Sequence, residues 1–584
     1  MPMLTTTSDG FALDGAPYRI ISGAMHYFRI HPGLWVDRLR KARLMGLNTV
    51  ETYLPWNLHQ PTRGRLDLDG LLNLPRYLRL AQEEGLHVLL RPGPYIYAEW
   101  DNGGLPHWLT VDRDIRIDSS DPCFTAAVDR YFDLLIPALR PWMGASGGPV
   151  IGVQVENRYD PYDDDPSYLE YLCSALRSRG VEEFLFTCDQ ADPEHLAAGR
   201  LPGIFATASV GSRVTEALSR FRAHQARGPL MCAEFRVGSF DRWGGAHHVR
   251  DTESTADDLD ALLAAGASVN IYMFHGGTNF GFTNGANHEF GYTPTVTSYD
   301  YDAPLTEAGD PGPKYHAFRE VISRYAPVPD EPSPRAAPKL PPVTIPMEGC
   351  LPLLDFVGEL ADAIPVATPC SMDELGVQGG FVLYRTTVST VGDGIMRLNE
   401  VGDRAQIFVD GAPCGVLERE RHEEILPLRI PRPMATLDVL VENLGRVNYG
   451  APLQDRKGLL GPVTFNGTSL TAWNCYPLPL DAVPLIPFVL PSASVAAPAF
   501  HHGTFEVTTP ADTFLALPGW TKGCAWVNGF PLGRYWQRGP QRTLYVPGPS
   551  LRAGTNDLVL LELHATTSPL AQLTDVPDLG AGQL

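Results

Sequence analysis

Residues 18–57 read YRIISGAMHYFRIHPGLWVDRLRKARLMGLNTVETYLPWN. Apolar runs at 18–23 and 49–54 flank an amphipathic helical pattern over 35–45. Two short strand-like runs joined through one helix form a β–α–β unit with parallel strands. Outward from this stretch the unit recurs. Further strand-like runs fall at 87–90, 150–155, 184–187, 203–206, 230–233 and 269–274. Helical patterns fall between most of them, at 72–84, 124–143, 168–179, 214–227 and 255–265. Eight strands alternating with helices predict a (β/α)8 barrel over residues 1–330. The fifth unit carries the thinnest signal, because its helical pattern, between Asp189 and Leu201, is short. The alternative is an open doubly wound sheet. No glycine-rich phosphate loop follows any strand, which counts against it.

Downstream, APVPDEPSPRAAPKLPP at 326–342 carries seven prolines and almost no bulky apolar residue. It marks a linker, set at 331–345. Helical periodicity then stops. Short alternating runs dominate, such as 404–409, 437–442, 513–517, 524–527 and 558–563, with turns at Asp410-Gly411 and Asn528-Gly529. These predict two antiparallel β-sandwiches, at 346–483 and 484–584, divided by a second Pro/Ala-rich stretch at 484–498.

At 584 residues the chain suits two to four domains. Lys plus Arg number 46 against 67 Asp plus Glu, a net charge of −21. That balance argues against a nucleic-acid backbone or an anionic membrane surface as the main partner. Nine cysteines stand singly with no C-x-x-C pair, so reduced, buried thiols are expected rather than a zinc ribbon. Residues 1–15 lack the apolar core of a secretory signal, and no run reaches the length of a membrane span. A soluble, cytoplasmic protein is the expectation.

In a (β/α)8 barrel, chemistry gathers where the strands end. Those ends carry Glu51-Thr52-Tyr53, Arg91 with Ala98-Glu99-Trp100 beyond it, Glu156-Asn157-Arg158, Glu234-Phe235-Arg236 and His275. Aromatic faces suit the apolar face of a pyranose, and carboxylates and amides suit its hydroxyls. A pair of mouth glutamates would perform retaining glycoside hydrolysis. For any single glutamate the plain alternative is an ion-pair role, and glutamates at the ends of strands three, four and seven together weaken it. Other chemistries fare worse. No G-x-S-x-G elbow occurs, the His247-His248 and His501-His502 pairs lack ligand spacing, and Asp163-Asp164-Asp165 is no EF-hand loop.

At these residues the sequence resembles glycoside hydrolase family 35, the β-galactosidases of the clan A barrels. The resemblance is carried by residues 26–61 (HYFRIHPGLWVDRLRKARLMGLNTVETYLPWNLHQP), 89–109 (LLRPGPYIYAEWDNGGLPHWL), 147–157 (GGPVIGVQVEN), 270–282 (NIYMFHGGTNFGF) and 297–309 (TSYDYDAPLTEAG). It continues through LVENLGRVNYG, DRKGLLGPV and KGCAWVNGFPLGRYWQRGPQRTLYVPG, which are similar to the family's two galactose-binding-like, jelly-roll β-domains. The resemblance implies that Tyr53, Ala98, Glu99, Asn157, Tyr272 and Tyr301 hold the galactose ring and that Glu234 is the nucleophile.

The proton donor does not carry over. The family's strand-four motif reads V-E-N-E-Y-G, its second glutamate being the acid/base. Here the residues are Val155-Glu156-Asn157-Arg158-Tyr159-Asp160. Glu156 matches the first glutamate, which is not the catalytic one. Arginine stays protonated at working pH and cannot release a proton to a leaving group. Arg236 stands where the family usually has an aromatic residue, and Asp160 replaces a small residue. Two guanidinium groups are thus expected near the nucleophile, with Asp160 the candidate substitute donor.

Three readings follow. One is a glycosidase or transglycosidase suited to an anionic or otherwise stabilised leaving group. The second is a sugar-binding protein on an inactive frame, with Arg158 paired to Glu234 or Glu99. The third is a biosynthetic enzyme acting on an anionic sugar. The double displacement needs no metal or organic cofactor. Trp473, Trp520, Trp526 and Trp536 are expected in the β-domain cores rather than on a sugar platform.

Overall fold

The structure, a computed structural model, describes every residue except 1, 9, 112–113, 158–164, 199–200, 451–452, 482, 484–497 and 584. Eight parallel strands close on themselves in chain order: β1 (Ile21–Met25), β2 (Thr49–Tyr53), β3 (His87–Arg91), β4 (Val150–Gln154), β5 (Phe184–Gln190), β6 (Phe205–Val210), β7 (Met231–Arg236) and β8 (Ser268–His275). The last pairs with the first, Val269 opposite Ile21, so no edge remains. All residues of β1, β2, β4 and β8 are buried. Burial on both faces is why these strands read as continuous apolar runs rather than alternating ones.

The helices outside the barrel are α1 (Trp35–Met45), α2 (Leu74–Glu83), α3 (Pro122–Leu139), α4 (Pro166–Ser178), α5 (Pro193–Ala198), α6 (Val214–His224), α7 (Thr252–Ala264) and α8 (Pro313–Ser323). Helix α1 stops at Gly46, whose φ of 104° is the left-handed C-terminal turn that glycine adopts at little cost. The thin fifth signal corresponds to α5, only six residues long. A three-stranded sheet (Leu4–Thr6, Phe11–Leu13, Ala16–Tyr18) covers the end where the strands begin. There Phe11 meets the rings of Phe184 and Phe205 at 5.7 and 5.3 Å. That end is sealed by apolar packing, which leaves the opposite end for chemistry.

Two β-domains follow. In the first, a six-stranded sheet and a four-stranded sheet enclose an apolar core. The second is built on an eight-stranded antiparallel sheet. One boundary differs from expectation. By sequence, strand β9 (Val343–Pro352) falls partly in the linker and partly in the first sandwich. It pairs instead with Ala499–Val507 and Leu570–Thr574 in the final domain's sheet. Its partners lie over 140 residues away, and no local pattern reports such pairing. Both turns expected from sequence are hairpin turns: Asp410-Gly411 and Asn528-Gly529 have positive φ at both positions, the type I′ geometry. Trp473, Trp520 and Trp526 are buried, whereas Trp536 is half-buried beneath the Lys522 ammonium at 4.4 Å.

The first β-domain grips the barrel loop that follows β3. Arg446, fully buried, pairs with Asp373 of its own domain at 2.8 Å and with Asp101 of the barrel at 3.4 Å. Its backbone N–H also donates to Asp101. Thr110 of the barrel donates to Asp373 at 2.8 Å. Charges removed this completely from water persist only when paired. Among the described residues no helix is long and apolar enough to cross a membrane.

Candidate active site

The open end of the barrel holds a cavity of about 420 Å³. Tyr53, Glu99, Asn157, Glu234, Arg236, Tyr272 and Tyr301 all line it. The cavity thus joins seven residues singled out from sequence, drawn from six different strand ends and loops. Arg158 and Asp160 lie outside the described residues.

Glu234 stands at the end of β7, its side chain 18% exposed. One carboxylate oxygen accepts from Arg91 Nη1 at 2.7 Å and from the Tyr53 hydroxyl at 3.1 Å. The other accepts from Ser209 Oγ at 3.1 Å. Burial acts to raise its pKa. The charge and hydrogen bond of Arg91, the charge of Arg236 and the Tyr53 hydrogen bond outweigh it, and the carboxyl is held below the ordinary range.

Arg91 is the residue that sequence reasoning passed over. It is buried and reaches Glu51 through Nε at 2.8 Å, Glu234 through Nη1, and the Ala233 carbonyl through Nη2 at 2.8 Å. It also donates to the Tyr53 hydroxyl at 2.7 Å. Glu51, wholly buried, is pushed up to about 7 by burial, against the pull of Arg91 and with the repulsion of Glu234. One guanidinium between two carboxylates favours a single ionised partner, and the shifts make that partner Glu234. The signal was present as an arginine ending β3. What it meets depends on barrel closure, which brings residues 51, 91 and 234 together.

Tyr97, Ala98 and Glu99 sit in succession at φ 62°, 54° and 50°. Left-handed geometry costs a non-glycine residue on the order of 1–3 kcal/mol. Three in a row persist because the surroundings over-determine them. Arg29 Nη2 donates to the Ala98 carbonyl at 2.6 Å, Gly285 N–H donates to the Glu99 carbonyl at 2.8 Å, and the Tyr299 hydroxyl donates to the Glu99 carboxylate. The Arg29 guanidinium carbon itself sits over Tyr299, 3.8 Å from the ring centre. Burial pushes Glu99 up to about 7, opposed by the Tyr299 hydrogen bond and the Arg29 charge. Ala98 therefore takes part through its backbone, while Glu99 points its carboxyl into the cavity.

At the end of β4, Asn157 donates through Nδ2 to the Ile96 carbonyl at 2.9 Å and offers Oδ1 to Arg91 at 3.3 Å. Glu156 turns away. Its carboxylate accepts from the Tyr168 hydroxyl at 2.7 Å and from the Asn157 N–H at 2.8 Å, and it does not line the cavity. Tyr272 from β8 and Tyr301 meet edge to face at 5.6 Å and form an aromatic wall. Tyr299, Arg29 and Ser209 complete the setting. None was singled out as a site residue, since each acts on another site residue across the barrel.

Three family models match the chain. The model described as glycosyl hydrolases family 35 matches residues 10–325. The β-galactosidase first all-beta domain matches residues 369–479, and the β-galactosidase galactose-binding domain matches residues 498–556. The chain is 42% identical to a mouse beta-galactosidase-1-like protein, over 98% of this chain and 91% of the relative. It is 41% identical to the human beta-galactosidase-1-like protein 2, over 98% and 91%, and 43% identical to human beta-galactosidase, over 95% and 86%. With a barrel of this kind, two β-domains after it and matches along nearly its whole length, the chain belongs to glycosyl hydrolases family 35.

Proposed function

We propose that this protein is a β-galactoside-processing retaining glycosidase or transglycosidase in which Glu234 is the nucleophile and position 158 supplies no proton. The observation that carries the reading is the Glu234 carboxylate, kept ionised by Arg91 and open to the cavity. In the first step a Glu234 oxygen bonds to the anomeric carbon. The bond to the leaving oxygen breaks and its electron pair departs with it. A family acid would protonate that oxygen, and such help is worth about 10²–10⁴-fold. With arginine at 158, the first step favours leaving groups stable as anions. In the second step water attacks the same carbon without a general base, so the glycosyl-enzyme is long-lived. The runner-up, a sugar-binding protein on an inactive frame, makes no such intermediate.

The test is trapping. A 2-fluoro-β-galactoside with a dinitrophenolate leaving group should raise the mass of the protein by one fluorogalactosyl unit, on the peptide containing Glu234. Unlabelled protein, or a label elsewhere, overturns the assignment.

A pH profile adds a second check. A nucleophilic carboxylate whose pKa is lowered is active above that pKa and loses activity as pH falls through it. Arg91→Gln removes the charge that most opposes burial at Glu234. The acid limb of kcat/KM for a nitrophenyl galactoside should therefore move to higher pH. An unmoved limb assigns that ionisation to another group.

A further inference from the structure

Arg236 is unlike the other cations of the site. Arg91 is neutralised between Glu51 and Glu234. Arg250 is neutralised by Asp258 and donates to the Arg236 carbonyl. Arg29 is buried among aromatic rings and backbone acceptors. Arg236 is exposed into the cavity, and among the described residues its guanidinium has no ion-pair or hydrogen-bond partner. Its charge adds to that of Arg91, which already pairs with Glu234 at 2.7 Å.

Strand geometry fixes where Arg236 points. Residues two apart on a strand face the same side, roughly 6–7 Å from one another. Glu234 and Arg236 are such a pair at the end of β7, and both line the same cavity. The guanidinium lies along the end of β6. A side-chain carbon added at Gly211 would come within 3.4 Å of its Nε and Nη2. Ser212 and Ser239 line the cavity with it. A fork of donors that pairs with none of the described residues, one side-chain spacing from a nucleophile in a protein of net charge −21, suits an oxyanion seat rather than a solubility feature.

We infer that Arg236 forms a subsite for an oxyanion co-substrate, a phosphate or carboxylate, that accepts the galactosyl group from Glu234. This deepens the glycosyl-enzyme reading above and rests on it. An unprotonated phosphate oxygen attacks the anomeric carbon of the intermediate. The new carbon–oxygen bond forms as the ester bond to Glu234 breaks, and that electron pair returns to the Glu234 carboxylate. No proton is removed from the attacking oxygen, so the step needs no base where the family has one. Run backward, the same step makes a galactosyl phosphate the donor and phosphate the leaving group. The substrate class is thus a β-galactoside together with an oxyanion, and the reaction class is transfer to that anion with retention.

The experiment uses the full chain, dinitrophenyl β-galactoside as donor, and inorganic phosphate or acetate as acceptor, at ionic strength held constant with chloride. Either anion should accelerate dinitrophenolate release. With phosphate, ³¹P NMR should show β-galactosyl phosphate; an acetate response alone would assign the subsite to carboxylates. Arg236→Gln should raise the phosphate concentration for half-maximal acceleration at least tenfold, and Arg236→Lys by less. Acceleration by neither anion, or one unchanged by Arg236→Gln, overturns the subsite. If the trapping reagent labels Glu234 while anions do nothing, this inference fails and the nucleophile assignment stands. If no label forms, calorimetric titration of phosphate into the wild type and Arg236→Gln decides, and binding that does not depend on Arg236 overturns it.

Discussion

Glu234→Gln should lower turnover of dinitrophenyl β-galactoside on the order of 10⁴-fold or more, the scale on which removing a nucleophile acts in hydrolases. The loss should fall on kcat, because the amide keeps the shape of the carboxylate and the ring-holding residues are untouched. The fold should survive. The amide oxygen of the substituted side chain would still accept from Arg91 and Tyr53. Glu51, no longer repelled by a charge at 234, would ionise more readily and become the sole counter-ion of Arg91. Circular dichroism and a thermal melt check this. Glu234→Ala goes further. With azide, a small anion that fits the vacated carboxylate position, it should form the α-galactosyl azide, the inverted product. A Glu234→Gln protein within about tenfold of wild type, well folded, would place the nucleophile elsewhere.

Arg158→Glu should raise kcat/KM for alkyl galactosides by about 10²–10⁴-fold, the range a positioned general acid contributes. Dinitrophenyl galactoside, whose leaving group needs no proton, should change far less. The slope of log kcat/KM against leaving-group pKa should therefore be steep in the wild type and shallow in the variant. Restoring the glutamate also restores a base for the second step, so any burst of dinitrophenolate seen in the wild type should shrink. The Asp160→Asn variant separates the rival account: if Asp160 already donates the proton, the wild-type slope is shallow and this variant steepens it. Arg158→Glu without gain, in a folded protein, would mean that the native chain uses another donor.

The outline of this molecule was legible without coordinates because its signals are local. A buried parallel strand is an apolar run, a surface helix repeats every 3.6 residues, and type I′ hairpins call for Asp-Gly or Asn-Gly. Each of the eight barrel strands overlaps its predicted run, the first and sixth starting three and two residues later than expected, and the short α5 falls within 189–201. Residues at the strand ends could be listed, and Tyr53, Glu99, Asn157, Glu234, Arg236, Tyr272 and Tyr301 do share one cavity.

Other features had no local signal. Strand β9 joined a sheet whose other strands lie at the far end of the chain. Arg446 reached 345 residues back to Asp101. The left-handed run at 97–99 is held by Arg29, Tyr299 and Gly285, none of them near it in sequence.

By itself, then, the sequence determined the barrel and the two β-domains, since both are properties of residue type and spacing; that Arg158 stands where an acid is expected is what the resemblance to the family implies. Only the tertiary structure decided which charges are satisfied. Arg91 and Arg236 are the same side chain at two strand ends. Closure of the barrel sets one between two carboxylates and leaves the other facing the cavity, because pairing depends on distances across the fold and not along the chain.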